Sequence, residues 1–99
     1  MNTNTNMFDK LRKMQEAIQK EQKTLESKEF IATIGDVMIV MQGTKQVVDV
    51  RIKNTQALQN LDILQESILL SFNEVLKQVE DASREVINKA SENLEFTFL

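Results

Sequence analysis

The side chains of this chain that could do chemistry are its lysines, arginines and carboxylates. Histidine and cysteine are both absent. A Ser–His or Cys–His pair therefore cannot be built, from one copy or from two. The usual zinc and transition-metal ligands are missing as well, so no metal and no cofactor is expected. Gly35 and Gly43 stand alone and form no glycine-rich phosphate loop. Fifteen acids leave a carboxylate pair formally open. They are scattered along helix-forming stretches, with no sign of convergence. These exclusions point away from an enzyme and from a small-molecule substrate.

Charge is more informative. The net charge is −3 and the sequence pI is about 4.9, which argues against a simple polycation. The distribution is uneven. Residues 1–28 carry six bases against four acids, a net of +2; residues 29–61 balance; residues 62–99 have a net of −5. On a helical wheel of the first segment, Arg12, Lys13, Lys20 and Lys23 fall opposite an apolar seam, with Asp9 and Glu16 between them. Doubled in a dimer, that face would suit phosphates. The plainer alternative is a solvated face with ordinary intrahelical ion pairs, such as Glu16 with Lys20. With no Trp or Tyr, a stacking platform for single strands is not expected. Phe8, Phe30, Phe72, Phe96 and Phe98 look like core or tail.

The elements that must position these residues follow from periodicity. The apolar residues Met7, Leu11, Met14, Ile18 and Leu25 step by four, three, four and seven, with Glu21 in the skipped place. That spacing predicts a helix over about Thr5–Lys28, capped by Thr5 or Asn6, behind a polar leader at 1–6. Phe30–Ile34, Val37–Gln42 and Val47–Ile52 read as strands joined by the turns Gly35-Asp36 and Gly43-Thr44-Lys45. In the third, Val48, Val50 and Ile52 point one way and Val47, Asp49 and Arg51 the other. After a connector at 53–60, helical spacing returns at Leu64, Ile68, Phe72, Val75, Val79, Ala82, Val86 and Ala90, widened by Leu69 and Leu76. The second helix should run from Leu61 or Asp62 to about Asn93, more than about 40 Å at 1.5 Å per residue. It overshoots any three-stranded sheet, and so does the first helix. A homodimer is the simple way to close the exposed seams. The last six residues, 94–99, suggest a short strand, a flap or a partly ordered tail.

The 99 residues suffice for one domain over 1–99, in the α+β class with an α-β-β-β-α protomer and a three-stranded antiparallel sheet. Two glycines and no proline favour long helices and few loops. The longest apolar run, Val37 to Met41, is too short to span a membrane, and no signal peptide is visible, so the cytoplasm is the expected location.

In order and in residues, the chain resembles the YbaB/EbfC family of small bacterial nucleoid-associated proteins. The likeness spans about Met7 to Leu94. It rests on the opening Met7-Phe8-Asp9-Lys10-Leu11 with Met14-Gln15-Glu16, and on Val37–Gly43 followed by Val47–Ile52. It rests most on Leu64–Val75, with its Phe72-Asn73-Glu74 triplet, and on Val79-Glu80-Asp81. The chain departs from the family at Ile52-Lys53-Asn54, where Ile-Asp-Pro is common. It departs also in its tail and in the short Gly35-Asp36 loop. The resemblance implies a tweezer-like homodimer whose sheets meet centrally and whose helices project as arms. It implies binding of double-stranded DNA, an influence on compaction and transcription, and a place on the nucleoid. Phosphate contacts would come from Lys10, Arg12, Lys13, Lys20 and Lys23, with Arg84 and Lys89 on the second arm. The rival expectation is a dimeric adaptor that binds a partner protein through its arms or tail and has no DNA role.

Overall fold

The structure is a computed structural model that describes residues 3–98, with side chains described over residues 6–92. Its elements are α1 (Thr3–Glu26), β1 (Glu29–Ile34), β2 (Val37–Gln42), β3 (Val47–Ile52), a short 3-10 helix (Thr55–Gln59) and α2 (Leu61–Phe98). The protein is thus an α-β-β-β-α chain with an antiparallel meander in the order β1-β2-β3.

Both turns of the meander have a local cause. Gly35 takes φ +57° at the first turn position, where a two-residue hairpin of the primed kind needs a left-handed residue. The second turn closes as Lys45 N–H donates to the Gln42 carbonyl at 2.8 Å and Gln42 N–H to the Gln46 carbonyl at 2.8 Å. Beyond it the β2–β3 register slips between Val40 and Met41, because Val40 pairs with Asp49 while Met41 pairs with Val47. Val48 is left over as a bulge residue.

The helix ends also follow from side chains. Asn60 caps α2, its Oδ1 accepting from the Ile63 N–H at 3.2 Å. Asn54 caps the 3-10 helix in the same way through the Gln56 N–H at 3.0 Å. α1 ends without glycine; Ser27 and Lys28 N–H groups tighten back onto the Thr24 and Leu25 carbonyls at 3.3 and 3.0 Å. Gly43 N–H then donates to the Lys28 carbonyl at 2.9 Å, which straps the β2–β3 turn to the end of α1.

Several boundaries differ from those expected. α1 begins at Thr3, so Thr5 and Asn6 lie within the helix rather than capping it, and Met1 and Asn2 lie outside the described residues. It also stops at Glu26, two residues short of the expected end. The stretch Leu94–Phe98 is helix, not strand or flap, and Leu99 lies outside the described residues. No proline or glycine follows Asn93, so nothing in the backbone stops α2 at its expected end.

The core lies between α2 and the sheet. Val37, Ile39 and Met41 of β2 and Ala32 of β1 face Leu64, Val75 and Val79 of α2, with Phe30, Val47 and Leu76 at the margins. The inward side of α2 keeps Leu64, Val75 and Val79 of the stripe that the spacing predicts but departs from it in between. Ile68 and Phe72 are partly exposed, while Ser67 and Ser71 are buried, Ser71 completely. The Ser71 hydroxyl satisfies itself by donating to the Ser67 carbonyl one turn back. Small residues at these places let α2 lie close to the sheet; a Cβ on Gly35 would meet the Ser67 hydroxyl at 2.8 Å. The expected core residue Phe8 is also on the surface, at 70% exposure.

α2 has 38 residues, about 57 Å at 1.5 Å per residue, and its second half leaves the sheet behind. There it packs along α1, and Gln22 Nε2 donates across the pair to Ser83 Oγ at 3.0 Å. The two projecting helices thus close much of their seams on each other within one protomer, giving a thin blade in a molecule of 72 × 22 × 12 Å.

Candidate nucleic-acid interface

Because Ile18 and Leu25 of α1 turn toward α2, the residues half a turn away must point out from the blade. Arg12, Lys13, Lys20 and Lys23 occupy that outer side and are all exposed. Lys13, Lys20 and Lys23 have no ion-pair partner among the described residues. Arg12 is held by Asp9 at 3.4 Å in a solvent-exposed i,i+3 pair. Such exposed pairs contribute roughly 0–1 kcal/mol, so a phosphate can replace the carboxylate at little cost. The expected Glu16–Lys20 pair is not formed. Lys10 stands apart on the flank of α1, half-buried and already engaged.

The two bases expected on the second arm stay together beside one hollow of α2, among Asp81, Glu85 and Glu92, and both are paired. Lys89 lines the groove between α1 and α2 and pairs with Glu85 at 3.5 Å. Arg84 lies on the outer surface of α2 with Asp81, Glu85 and Glu92 close by, and pairs with Asp81 at 3.5 Å. Of the seven bases proposed from the sequence, four therefore share one outer face, and three of those are free. The groove itself has a volume of about 470 Å³, with Ala17, Ile18, Ala82 and Val86 among its lining residues and charges of both signs at its edges. On the sheet, the Arg51 guanidinium donates to Asp49 at 2.9 Å. That hydrogen bond and the carboxylate's charge raise its pKa further, so it stays charged in any ordinary buffer.

A second surface was less legible in the sequence. By register Val50 and Ile52 of β3 lie on the same side of the sheet as Ile39 and Val37, yet α2 covers only β1 and β2. They remain 52% and 43% exposed. Beside them the first third of α2 exposes Leu61, Ile63, Leu69, Leu70 and Phe72, so that this segment is apolar on nearly every side. A helix apolar all round is a buried helix, and one protomer does not bury this one. Ile63 and Leu70 fall outside the 3.6-residue stripe, and that breach of periodicity is the signal that could have found them. No helix among the described residues is long and apolar enough to cross a membrane.

This arrangement has counterparts. A solved structure of an uncharacterised protein from Helicobacter pylori superposes with a TM-score of 0.61 at 20% identity, covering 90% of this chain and 98% of that one. It supports the fold. A protein of Clostridium kluyveri called a nucleoid-associated protein is 30% identical over 92 residues, 90% of this chain and 81% of its own. One of the same name from Mycoplasmopsis pulmonis is 33% identical over 89 residues, 87% of this chain and 86% of its own. A family match extends over residues 1–94, nearly the whole chain, and with these relatives it makes the chain a member of the YbaB/EbfC DNA-binding family.

Proposed function

We propose that the protein is a non-enzymatic, nucleoid-associated protein that binds double-stranded DNA as a homodimer in the cytoplasm, and there contributes to DNA compaction and transcription. The observation that carries this reading is the outer face of α1, where Lys13, Lys20 and Lys23 are exposed and unpaired in a chain whose family binds DNA. These lysines and Arg12 would touch phosphates; Lys10, Arg84 and Lys89 would join only by leaving their present partners. Phosphate contacts set position and affinity, so any sequence preference would come from DNA shape. The dimer would bury the uncovered side of β3 and the first third of α2, leaving the blades to project as arms.

Fluorescence anisotropy of a labelled duplex of about thirty base pairs tests the reading. With four to six phosphates neutralised per dimer, the log–log salt slope is about −4 to −5. Reversing Lys13, Lys20 and Lys23 to Glu abolishes binding while the circular dichroism melt stays in place. Unchanged affinity in that variant would falsify the assignment of the face. The second reading is a dimeric adaptor for a partner protein. It is favoured by the net charge of −5 over residues 62–99. It predicts no duplex binding even at low salt, and a nuclease-insensitive partner recovered in fixed proportion.

A further inference from the structure

Two carboxylates sit among the bases on the outer face of α1. At about 3.6 residues per turn, the eleven residues from Arg12 to Lys23 and the seven from Lys13 to Lys20 are close to whole turns. Arg12 and Lys23 therefore form one row along the helix, and Lys13 and Lys20 a second. Glu16 stands four residues after Arg12 and four before Lys20, which places it between the two rows. Asp9 lies about two turns earlier on the same middle line and is held by Arg12 at 3.4 Å. Glu16 is exposed and lines an open hollow of α1 with Gln19, Lys20 and Lys23. Its carboxylate nevertheless has no hydrogen-bond or ion-pair partner among the described residues.

A free carboxylate in that place works against binding to a polyanion. Each phosphate drawn to the neighbouring bases is repelled by Glu16, and the cost rises as water is squeezed out. One docking geometry removes the conflict. The major groove of B-DNA, about 12 Å wide, admits an α-helix, whose diameter with side chains is about 10–12 Å. α1 packs on α2 and hardly on the sheet, so its outer face is free to enter a groove. The long side chains of the two rows then splay to the phosphates of the two walls. The shorter carboxylate between them meets the floor, where the amino groups of cytosine and adenine are the hydrogen-bond donors.

We propose that Glu16 is a base-reading residue: with α1 in the major groove, its carboxylate accepts a hydrogen bond from the N4 amino group of a cytosine. The proposal rests on the DNA-binding reading above and adds direct readout to phosphate contacts that by themselves leave preference to DNA shape. Cytosine suits a carboxylate better than adenine, whose N7 acceptor stands beside its amino group. A homodimer carries Glu16 twice, so the preference falls on one cytosine in each half of a two-fold symmetric site.

Selection of binding sites from a random duplex pool, with the wild-type chain and two variants, tests this. Glu16 is exposed on a helix, and glutamine and alanine are good helix formers, so both variants keep the wild-type circular dichroism melt. The wild-type chain enriches sites with symmetric cytosines, and replacing one of them lowers affinity roughly fivefold or more. Glu16→Gln moves the preference to adenine, which offers the amide both a donor and an acceptor. Glu16→Ala loses the preference and binds an unselected duplex roughly two- to threefold more tightly at low salt. Its log–log salt slope is unchanged, because no phosphate contact has been removed. A Glu16 that only tunes the charge of the face changes affinity and leaves the selected base as it was. If the wild-type chain binds and all three proteins select the same sites, or none selects any, the proposal is overturned and the basic face stands. If the wild-type chain binds no duplex at low salt, the DNA reading and the proposal for Glu16 fall together.

Discussion

From Leu61 to Phe72, α2 shows large apolar side chains on nearly every side; past Val75 and Val79, which face the sheet, it turns Ala82, Val86 and Ala90 toward α1 and presents mostly charge elsewhere. The first region, with the sheet, forms a hub. The second, with α1, forms a blade. The difference teaches that one continuous helix can serve two purposes when it is longer than the layer it covers. The sheet is only six residues deep along each strand, and what lies beyond it must find another partner. In the blade that partner is α1 of the same chain, tied by the Gln22–Ser83 bond beside a groove lined by Ala17, Ile18, Ala82 and Val86. In the hub the partner is missing from the protomer. Leu69 and Ile63 are 59% and 60% exposed there, and a second copy is the proposed cover.

The contrast can be broken at either end. The largest effect belongs to the shared core under the hub. Val75 is fully buried between α2 and the sheet, so Val75→Asp places an unpaired carboxylate where nothing can solvate it. A loss of about 4 kcal/mol or more is expected, enough to remove the cooperative transition from a circular dichroism melt. A variant that still melts cooperatively near the wild-type temperature would show that this contact does not hold the hub. Next comes the uncovered side of the hub. Leu69→Glu combined with Phe72→Glu leaves the protomer folded and turns the dimer into monomer, read by sedimentation velocity. If the variant sediments as a dimer, the interface lies elsewhere. Smallest is the clasp of the blade. Ser83→Ala removes the acceptor for Gln22 and costs about 0.5–1.5 kcal/mol, toward the lower end because the bond is partly exposed. Amide hydrogen exchange should then rise in α1 while β2 stays protected; equal change in both would deny the blade an independent stability.

Much of this was open to reading from the residues alone. Three short segments rich in β-branched residues, with glycine at each turn, could hardly pair in any other order than a meander. The return of helical spacing sets the start of α2 to within a residue, whereas the expected cap of α1 at Thr5 or Asn6 lies inside that helix. The spacing of Arg12, Lys13, Lys20 and Lys23, at intervals of one, seven and three residues, makes one basic face of α1 whatever packs behind it. These are local properties, set by backbone geometry within a few residues, and they hold in any fold that keeps the helix. The chemistry of the chain is bounded in the same way, because without histidine or cysteine whole classes of site cannot be built.

What the tertiary structure decided concerns choices between neighbours. Periodicity offers two adjacent stripes on α2 that share Leu64, Val75 and Val79, and the more apolar choice between them, Ile68 and Phe72, does not face the sheet. Closeness of approach selects Ser67 and Ser71 instead, a matter of shape that hydropathy does not record. The same holds for charge. Lys10 and Lys13 look alike in sequence, yet Lys10 is half-buried and engaged while Lys13 is exposed with no ion-pair partner among the described residues. The strap from the β2–β3 turn to the end of α1 likewise depends on a contact between residues well separated in the chain, made possible by the missing side chain of Gly43. Such contacts form only when distant segments are brought together by the burial of a common core, and no window of sequence short enough to read by pattern contains both partners.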